Sequence, residues 1–412
     1  MTSSLPRSRG RSNGTSGFAL ADGARINGFV DEGYGLVMDA FVANFAERCD
    51  VGAGCVAYVE GRPVVDLWGG IADRRVGRQW TRDTSAVIFS CTKGVLAICV
   101  YMLKQEGRLD LDVPIATYWP DFGRNGKEAI TLRDAMSHRA GIPCLDADLT
   151  RNDVLSWDPV IRGIEAQSPR CQPDDGHIYH AMTYGWLLGE AIRRVTGLMP
   201  GRYLREAITD PRGLDTWIGL PENTRSSVAW MEAPLPDEDS EDARAVALVA
   251  ETNPVVERSL TMGGAFAFPA DGEFVTFNDA AFQAAEIPGA NGISTARSLA
   301  RLYASCVSEI DGPRLLSDAS IEDAMRVCSE GPQLSGMPDD GGRWGTGFQL
   351  ASPPSQPMLG AGSFGHAGAG GQLGFADVDH RVGFAYLSNQ MGGYGDARAR
   401  ELTVALSSVL GA

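Results

Sequence analysis

Ser90 and Lys93 stand three residues apart in Ser90-Cys91-Thr92-Lys93, where a β-like run (SAVIF) gives way to a helical pattern. At a helix start that spacing puts both side chains on one face, so the hydroxyl and the amine can meet. A serine is a poor nucleophile until a neighbouring base takes its proton. Lysine serves as that base when burial or positive potential lowers its pKa toward neutrality. The helix N-terminus supplies some of that potential and also favours an oxyanion. The chemistry legible in this pair is nucleophilic acyl transfer.

Composition sharpens the point. Of 36 basic residues only Lys93, Lys104 and Lys127 are lysines, and the other 33 are arginines. Arginine cannot deprotonate at working pH and so cannot act as this base. On spacing alone a second explanation stays open, a helix start with a capping serine and a surface lysine.

The elements that must hold this pair follow from periodicity. Residues 33–48 carry apolar residues at helical spacing, and Gly54–Glu60 and Pro63–Gly69 read as strands of a hairpin with Gly61-Arg62 between them. A helix begins near Thr92 and ends near Gly107, a capping box at Thr131–Asp134 opens another that stops at Gly141, and a third spans about Met182 to Thr196. Late strands are expected over Trp344–Leu350, Gly371–Asp377 and Val382–Asn389, followed by a closing helix over Asp396–Leu410. Asp237–Asp242 reads as a solvated loop, and seven glycines between Gly360 and Gly374 suggest backbone approaching a ligand. Strands at both ends with helices between predict one sheet assembled from both termini around a helical insertion.

The 412-residue length exceeds one ordinary core, and the formal charge of −16 argues against a nucleic-acid partner. No apolar stretch is long enough for a membrane span, the N-terminal segment lacks a signal-peptide core, and eight cysteines lack metal-type spacing, so reduced thiols in the cytoplasm are expected. No GxSxG elbow is present, which argues against the usual α/β-hydrolase.

FSCTKG, the helix ending in EGRLDLDVPI, then ITLRDAMSHRAGIP and YHAMTYGWLLGE, in that order, resemble the serine β-lactamase/penicillin-binding-protein superfamily. The pattern is most similar to the class C-like branch containing the family VIII carboxylesterases. The resemblance implies an α+β fold of the α/β sandwich type, β-lactamase/transpeptidase-like, with an antiparallel sheet flanked by N- and C-terminal helices. It divides the chain into a flexible arm over 1–27, a sheet domain over 28–89 and 286–412, and an inserted, mainly helical domain over 90–285, with the site at their interface.

By resemblance Ser90 is the nucleophile and Lys93 its base. Tyr179, six residues before Gly185, relays the proton, with its pKa lowered by the ammonium. His366-Ala367-Gly368 matches the third motif. His366 and Gly368 would contact substrate, with His366 hydrogen-bonding a carbonyl or carboxylate. The backbone N–H groups of Ser90 and Ala369 would form the oxyanion hole. Two departures from the family pattern stand out: Ala181 replaces an asparagine, and His366 replaces a lysine. Both favour a short acyl ester over a β-lactam or a peptide. The implied function is a carboxylesterase without metal or organic cofactor, acting on a small-molecule ester. The alternatives are a β-lactamase, a D-amino-acid amidase or peptidase, an acyltransferase, or a non-catalytic ligand-binding relative. Nucleic acid and membrane are not expected as partners, and the oligomeric state stays open.

Three further features are read as non-catalytic. His177 and His180, with Cys171 and Asp174 nearby, look like metal ligands, but the second ligand pair lacks the spacing. His138 near a helix end is expected to bond locally and complement the helix dipole. Cys91 is expected to be a packing thiol.

Overall fold

The computed structural model describes residues 18–19, 25–233, 244, 248–249, 251–266, 275–339, 341–352, 356, 358–393 and 395–412. Fourteen strands lie among them. The first eight are Phe18–Ala19 (β1), Arg25–Val30 (β2), Gly52–Val59 (β3), Arg62–Asp73 (β4), Arg78–Gln79 (β5), Ser85–Val87 (β6), Thr216–Trp217 (β7) and Ile293–Thr295 (β8). The remaining six are Ser329–Glu330 (β9), Arg343–Trp344 (β10), Gln349–Leu350 (β11), Ser363–Gly368 (β12), Gln372–Asp377 (β13) and Val382–Ser388 (β14). The main sheet is antiparallel in the order β1-β2-β4-β3-β14-β13-β12-β11-β10-β9, with β5 on β4. Its centre is the pairing of β3 with β14, Ala53 opposite Ser388 through Val59 opposite Val382, which joins the two ends of the sequence.

Alternation along these strands sends side chains to two covered faces. Ala53, Cys55, Ala57, Phe375, Phe384 and Tyr386 pack with Val37 and Phe41 of α1 (Gly35–Glu47) and with Leu402 and Leu406 of the last helix, Arg398–Leu410. Val56, Tyr58, Ala376, Ala385 and Leu387 face the other way, toward Leu299 and Tyr303 of the helix Ala296–Val307. That helix approaches so closely that a Cβ on Gly383 would lie 2.2 Å from the Ala304 nitrogen. Arg297 also grips the Asp66 carboxylate of β4 at 2.7 and 2.8 Å.

The remaining layer is helical. Cys91–Gln105 (α2) is apolar nearly all round and buried accordingly, packing on Thr183–Thr196 (α4) and on β12. Thr131 and Asp134 make the expected reciprocal capping box, yet the helix it opens, Leu132–Met136 (α3), is short because Ser137 ends it and His138 turns left-handed at φ 64°. Gly197 closes α4 in the left-handed conformation.

Several expected elements are placed differently. The hairpin turn is Glu60-Gly61, not Gly61-Arg62: both residues have positive φ, 49° and 78°, the two-residue turn whose twist matches its strands. The expected strand Trp344–Leu350 splits into β10 and β11, because Gly345–Phe348 turn back through Gly347 at φ 89°. Within the stretch expected as an arm over 1–27, Phe18–Ala19 pairs with Arg25–Val30, and β2 pairs in turn with β4. Residues 1–17 and 20–24, and the acidic segment Asp237–Asp242, lie outside the described residues.

Candidate active site

Ser90 sits at the joint between a small three-stranded sheet, β6-β8-β7, and α2. The joint is locked locally. Ile88 N–H donates to the Gly292 carbonyl, Gly292 N–H donates to Thr92 Oγ1, and Thr92 Oγ1 donates to the Phe89 carbonyl. Phe89 takes φ 45°, which a non-glycine residue holds only when its surroundings fix it, and its ring packs on Phe277. Ser90 occupies the N-cap position without using its hydroxyl as a cap, so that oxygen remains for chemistry.

Lys93 is fully buried. Its Nζ lies 3.0 Å from Ser90 Oγ and 2.7 Å from each of the Ala181 and Gly289 carbonyl oxygens. Burial lowers its pKa to about 7. A neutral amine has two N–H bonds and one lone pair. Two carbonyls can only accept, so they take both hydrogens and leave the lone pair directed at Ser90 Oγ. The geometry thus presents the amine to the hydroxyl as a base.

Tyr179 completes the cluster, its phenol donating to Ser90 Oγ at 3.0 Å. Its backbone N–H is held by Gln333 Oε1 at 2.9 Å, and its ring packs against His138 and Trp344. The expectation of a lowered phenol pKa is corrected here. Burial is the dominant influence and pushes it upward, outweighing the hydrogen bond to Ser90 that favours the phenolate. Tyr179 therefore stays protonated, a donor and proton carrier rather than a standing base.

His366 on β12 stands beside this group, its ring 5.4 Å from that of Trp344 and 6.4 Å from that of Tyr179. Burial and the neighbouring Lys93 bring its pKa down to about 3. Nδ1 lies 2.6 Å from the Ala367 carbonyl, which can only accept, so Nδ1 carries the proton and Nε2 the lone pair. Nε2 is buried without a partner among the described residues. In this tautomer it accepts a hydrogen bond and cannot donate one to a substrate carbonyl or carboxylate, contrary to expectation.

Gly368 follows at the end of β12, and a Cβ there would lie 2.5 Å from the Ile88 carbonyl and 3.3 Å from Cys91 Sγ. Only glycine lets β12 run this close to the residues before Ser90. Ala369 comes next, exposed in the turn to β13. Gly185 has an equivalent role on α4: its missing Cβ would collide with the Gly289 nitrogen at 2.2 Å, so the helix can seat against the turn that offers the Gly289 carbonyl to Lys93.

The other singled-out residues lie apart from this proton network. His180 Nε2 accepts from Ile142 N–H, and its Nδ1 lies against the Ile178 carbonyl, so both ring nitrogens are engaged. His138 is buried and neutral, so it adds no charge to the end of α3, and its Nδ1 accepts from His180 N–H. Cys91 donates to the His366 carbonyl, and burial raises its thiol pKa. The Ala181 and Gly289 carbonyls have no side-chain signature in the sequence, Gln333 lies in an unpatterned segment, and Trp344 was expected only as the start of a strand.

The chain is similar to known proteins over most of its length. The family described as Beta-lactamase matches residues 38–408. The esterase/beta-lactamase LipL of Mycobacterium tuberculosis is 34% identical over 384 residues, 90% of this chain and 84% of the relative. A penicillin-binding protein homolog from Caulobacter crescentus superposes with a TM-score of 0.82 at 34% identity, over 93% of this chain and 99% of its own. A family VIII carboxylesterase does so with a TM-score of 0.81 at 33% identity and the same coverage. The order of motifs, the sheet built from both termini and the extent of these matches have one reading: the chain belongs to the beta-lactamase family, among its relatives that include penicillin-binding-protein homologues and family VIII carboxylesterases.

Proposed function

We propose that the protein is a serine carboxylesterase that cleaves short-chain acyl esters through an acyl-enzyme on Ser90. Lys93 takes the Ser90 proton as Oγ forms its bond to the ester carbonyl carbon. The carbonyl oxygen becomes an oxyanion, held by the backbone N–H groups of Ser90 and Ala369. As the tetrahedral intermediate collapses, the C–O bond to the alcohol breaks. Tyr179 gives its proton to the departing oxygen and regains one from Lys93. Water then adds to the acyl-enzyme by the same relay in reverse, releasing the acid and restoring the Ser90 hydroxyl.

The observation that carries this reading is the lone pair of a buried, readily neutral Lys93 directed at Ser90 Oγ from 3.0 Å. The named activities of the LipL and family VIII relatives support the ester class. The name of the first also pairs esterase with beta-lactamase, which favours slow β-lactam hydrolysis as a second reading on the same residues. Ala181 weighs against it, because a methyl group cannot bond the side-chain amide of a β-lactam. Replacing Ser90 by alanine is expected to abolish p-nitrophenyl acetate hydrolysis; turnover at the wild-type rate would overturn the assignment. Nitrocefin assayed beside short esters separates the two readings.

We further place the site between a sheet domain (28–89 and 286–412) and an inserted, mainly helical domain (90–285). Ser90 and Tyr179 come from the second, and His366 and Ala369 from the first. The eight free cysteines support a reducing compartment, the cytoplasm. No helix among the described residues is long and apolar enough to cross a membrane.

A further inference from the structure

Arg398, the first residue of the closing helix Arg398–Leu410, is buried, with 2% of its surface exposed, and engages five residues at once. Nε donates to Asp396 at 3.0 Å, and Nη1 donates to Asp50 Oδ1 at 2.6 Å and Ser388 Oγ at 3.0 Å. Nη2 donates to the carbonyls of Gly370 at 2.8 Å and Gln390 at 2.9 Å, and also to Asp396 Oδ2. Asp50 is fixed in turn by the hydroxyls of Tyr386 and Ser388 on β14.

Gly370 belongs to the turn Ala369-Gly370-Gly371 that joins β12 to β13. Gly370 and Gly371 both have positive φ, 79° and 93°. The turn is seated with no space behind it. A Cβ on Gly370 would lie 2.5 Å from Met391 Sδ, and one on Gly371 would lie 2.4 Å from Asp396 Oδ2 and 3.1 Å from Arg398 Nη2. An ion pair that only tied the helix to the sheet would need Asp50 alone. Here one edge of the guanidinium instead reaches the turn that presents Ala369.

We propose that Arg398 is a positioning residue for the oxyanion hole, clamping the Ala369-Gly370-Gly371 turn from behind through the Gly370 carbonyl. The inference rests on the reading that Ala369 N–H receives the oxyanion. The planar guanidinium spans Asp50, Asp396 and Gly370 together, which the single point charge of a lysine cannot do. Small displacements of such a donor are expensive, because the oxyanion develops only in the transition state.

The test is Arg398→Lys in the full chain, which keeps a cation beside the two carboxylates while releasing the turn. Steady-state hydrolysis of p-nitrophenyl acetate is measured together with inactivation by diethyl p-nitrophenyl phosphate, whose phosphoryl oxygen needs the same N–H groups. The expected result is a fall in kcat of about tenfold to a hundredfold, an equal fall in the inactivation rate, and an unchanged KM. Wild-type kcat and inactivation rate, with only a lower unfolding temperature, would make Arg398 a structural residue and overturn the proposal. Should Arg398→Lys not fold, the charge-balanced pair Asp50→Asn/Arg398→Gln carries the same comparison. Mass-spectrometric location of the phosphoryl adduct separates the two levels. An adduct absent from wild-type Ser90 defeats the catalytic reading. An adduct on Ser90 that forms equally fast in the variant defeats only the clamp.

Discussion

Lys93 meets Ser90 with its lone pair because two backbone carbonyls, those of Ala181 and Gly289, take its hydrogens at 2.7 Å each. Those carbonyls come from segments 88 and 196 residues away in sequence, so the basicity of the site depends on how α2, α4 and the 288–289 turn pack together.

The first consequence is a pH profile. The base must be neutral, so kcat/KM for p-nitrophenyl acetate is expected to rise with pH to a plateau, with its midpoint near the Lys93 value of about 7. Lys93→Arg, permanently charged, is expected to lose about a hundredfold to ten-thousandfold in kcat across the whole range.

The same burial has a stability signature. The pKa of Lys93 falls from 10.5 unfolded to about 7 folded. Between those values the unfolded chain binds the extra proton, so this residue makes stability increase with pH across that window and contributes no slope below it. Other buried groups, such as Cys55 and Cys99 with raised thiol pKa values, act in the opposite direction at high pH. The measurement is therefore a difference: urea midpoints of wild type minus Lys93→Met at pH 7.5 and 9.5. The difference should move in favour of the wild type as pH rises.

Tyr179→Phe removes the proton carrier while keeping the ring against His138 and Trp344. We expect kcat to fall by about a hundredfold or more with a small change in the unfolding temperature, read from steady-state kinetics and thermal unfolding on the same preparation.

Gly185→Ala places a methyl carbon 2.2 Å from the Gly289 nitrogen. Relief requires the 288–289 turn to withdraw, which takes the Gly289 carbonyl away from Lys93. Both activity and stability should fall, the latter by about 1–3 kcal/mol, measured by kcat and by chemical denaturation.

Ala181 interacts with Lys93 only through its backbone carbonyl. Ala181→Asn can therefore add a side-chain amide while the lysine contact remains. The ratio of nitrocefin to p-nitrophenyl acetate turnover should rise in the variant; an unchanged ratio would show that another part of the site decides against β-lactams.

How far the sequence disclosed this site depends on where each contact originates. Ser90, Lys93 and the capping box at Thr131 were legible because their spacing is local and their side chains carry the chemistry. The β3–β14 pairing was foreshadowed by β-like apolar runs at both ends of the sequence, the pattern of strands covered on both faces. The Ala181 and Gly289 carbonyls were hidden, because every residue has a carbonyl and only packing decides which one meets an amine. The hydrogen-bonding sense of His366 was hidden too, being set by its own neighbour's carbonyl in a strand whose register no local pattern announces. The hairpin turn fell one residue from its expected place because Glu60 adopts a positive φ that its residue type does not advertise.

Activation of Ser90 by a neutral Lys93 is read from the rate at which a fluorophosphonate labels Ser90 as pH is varied, in wild type and in Lys93→Arg. A single rise with its midpoint near 7 is expected in the wild type, with labelling slowed by at least about a hundredfold at every pH in the variant. Labelling independent of pH, or equally fast in Lys93→Arg, would contradict it.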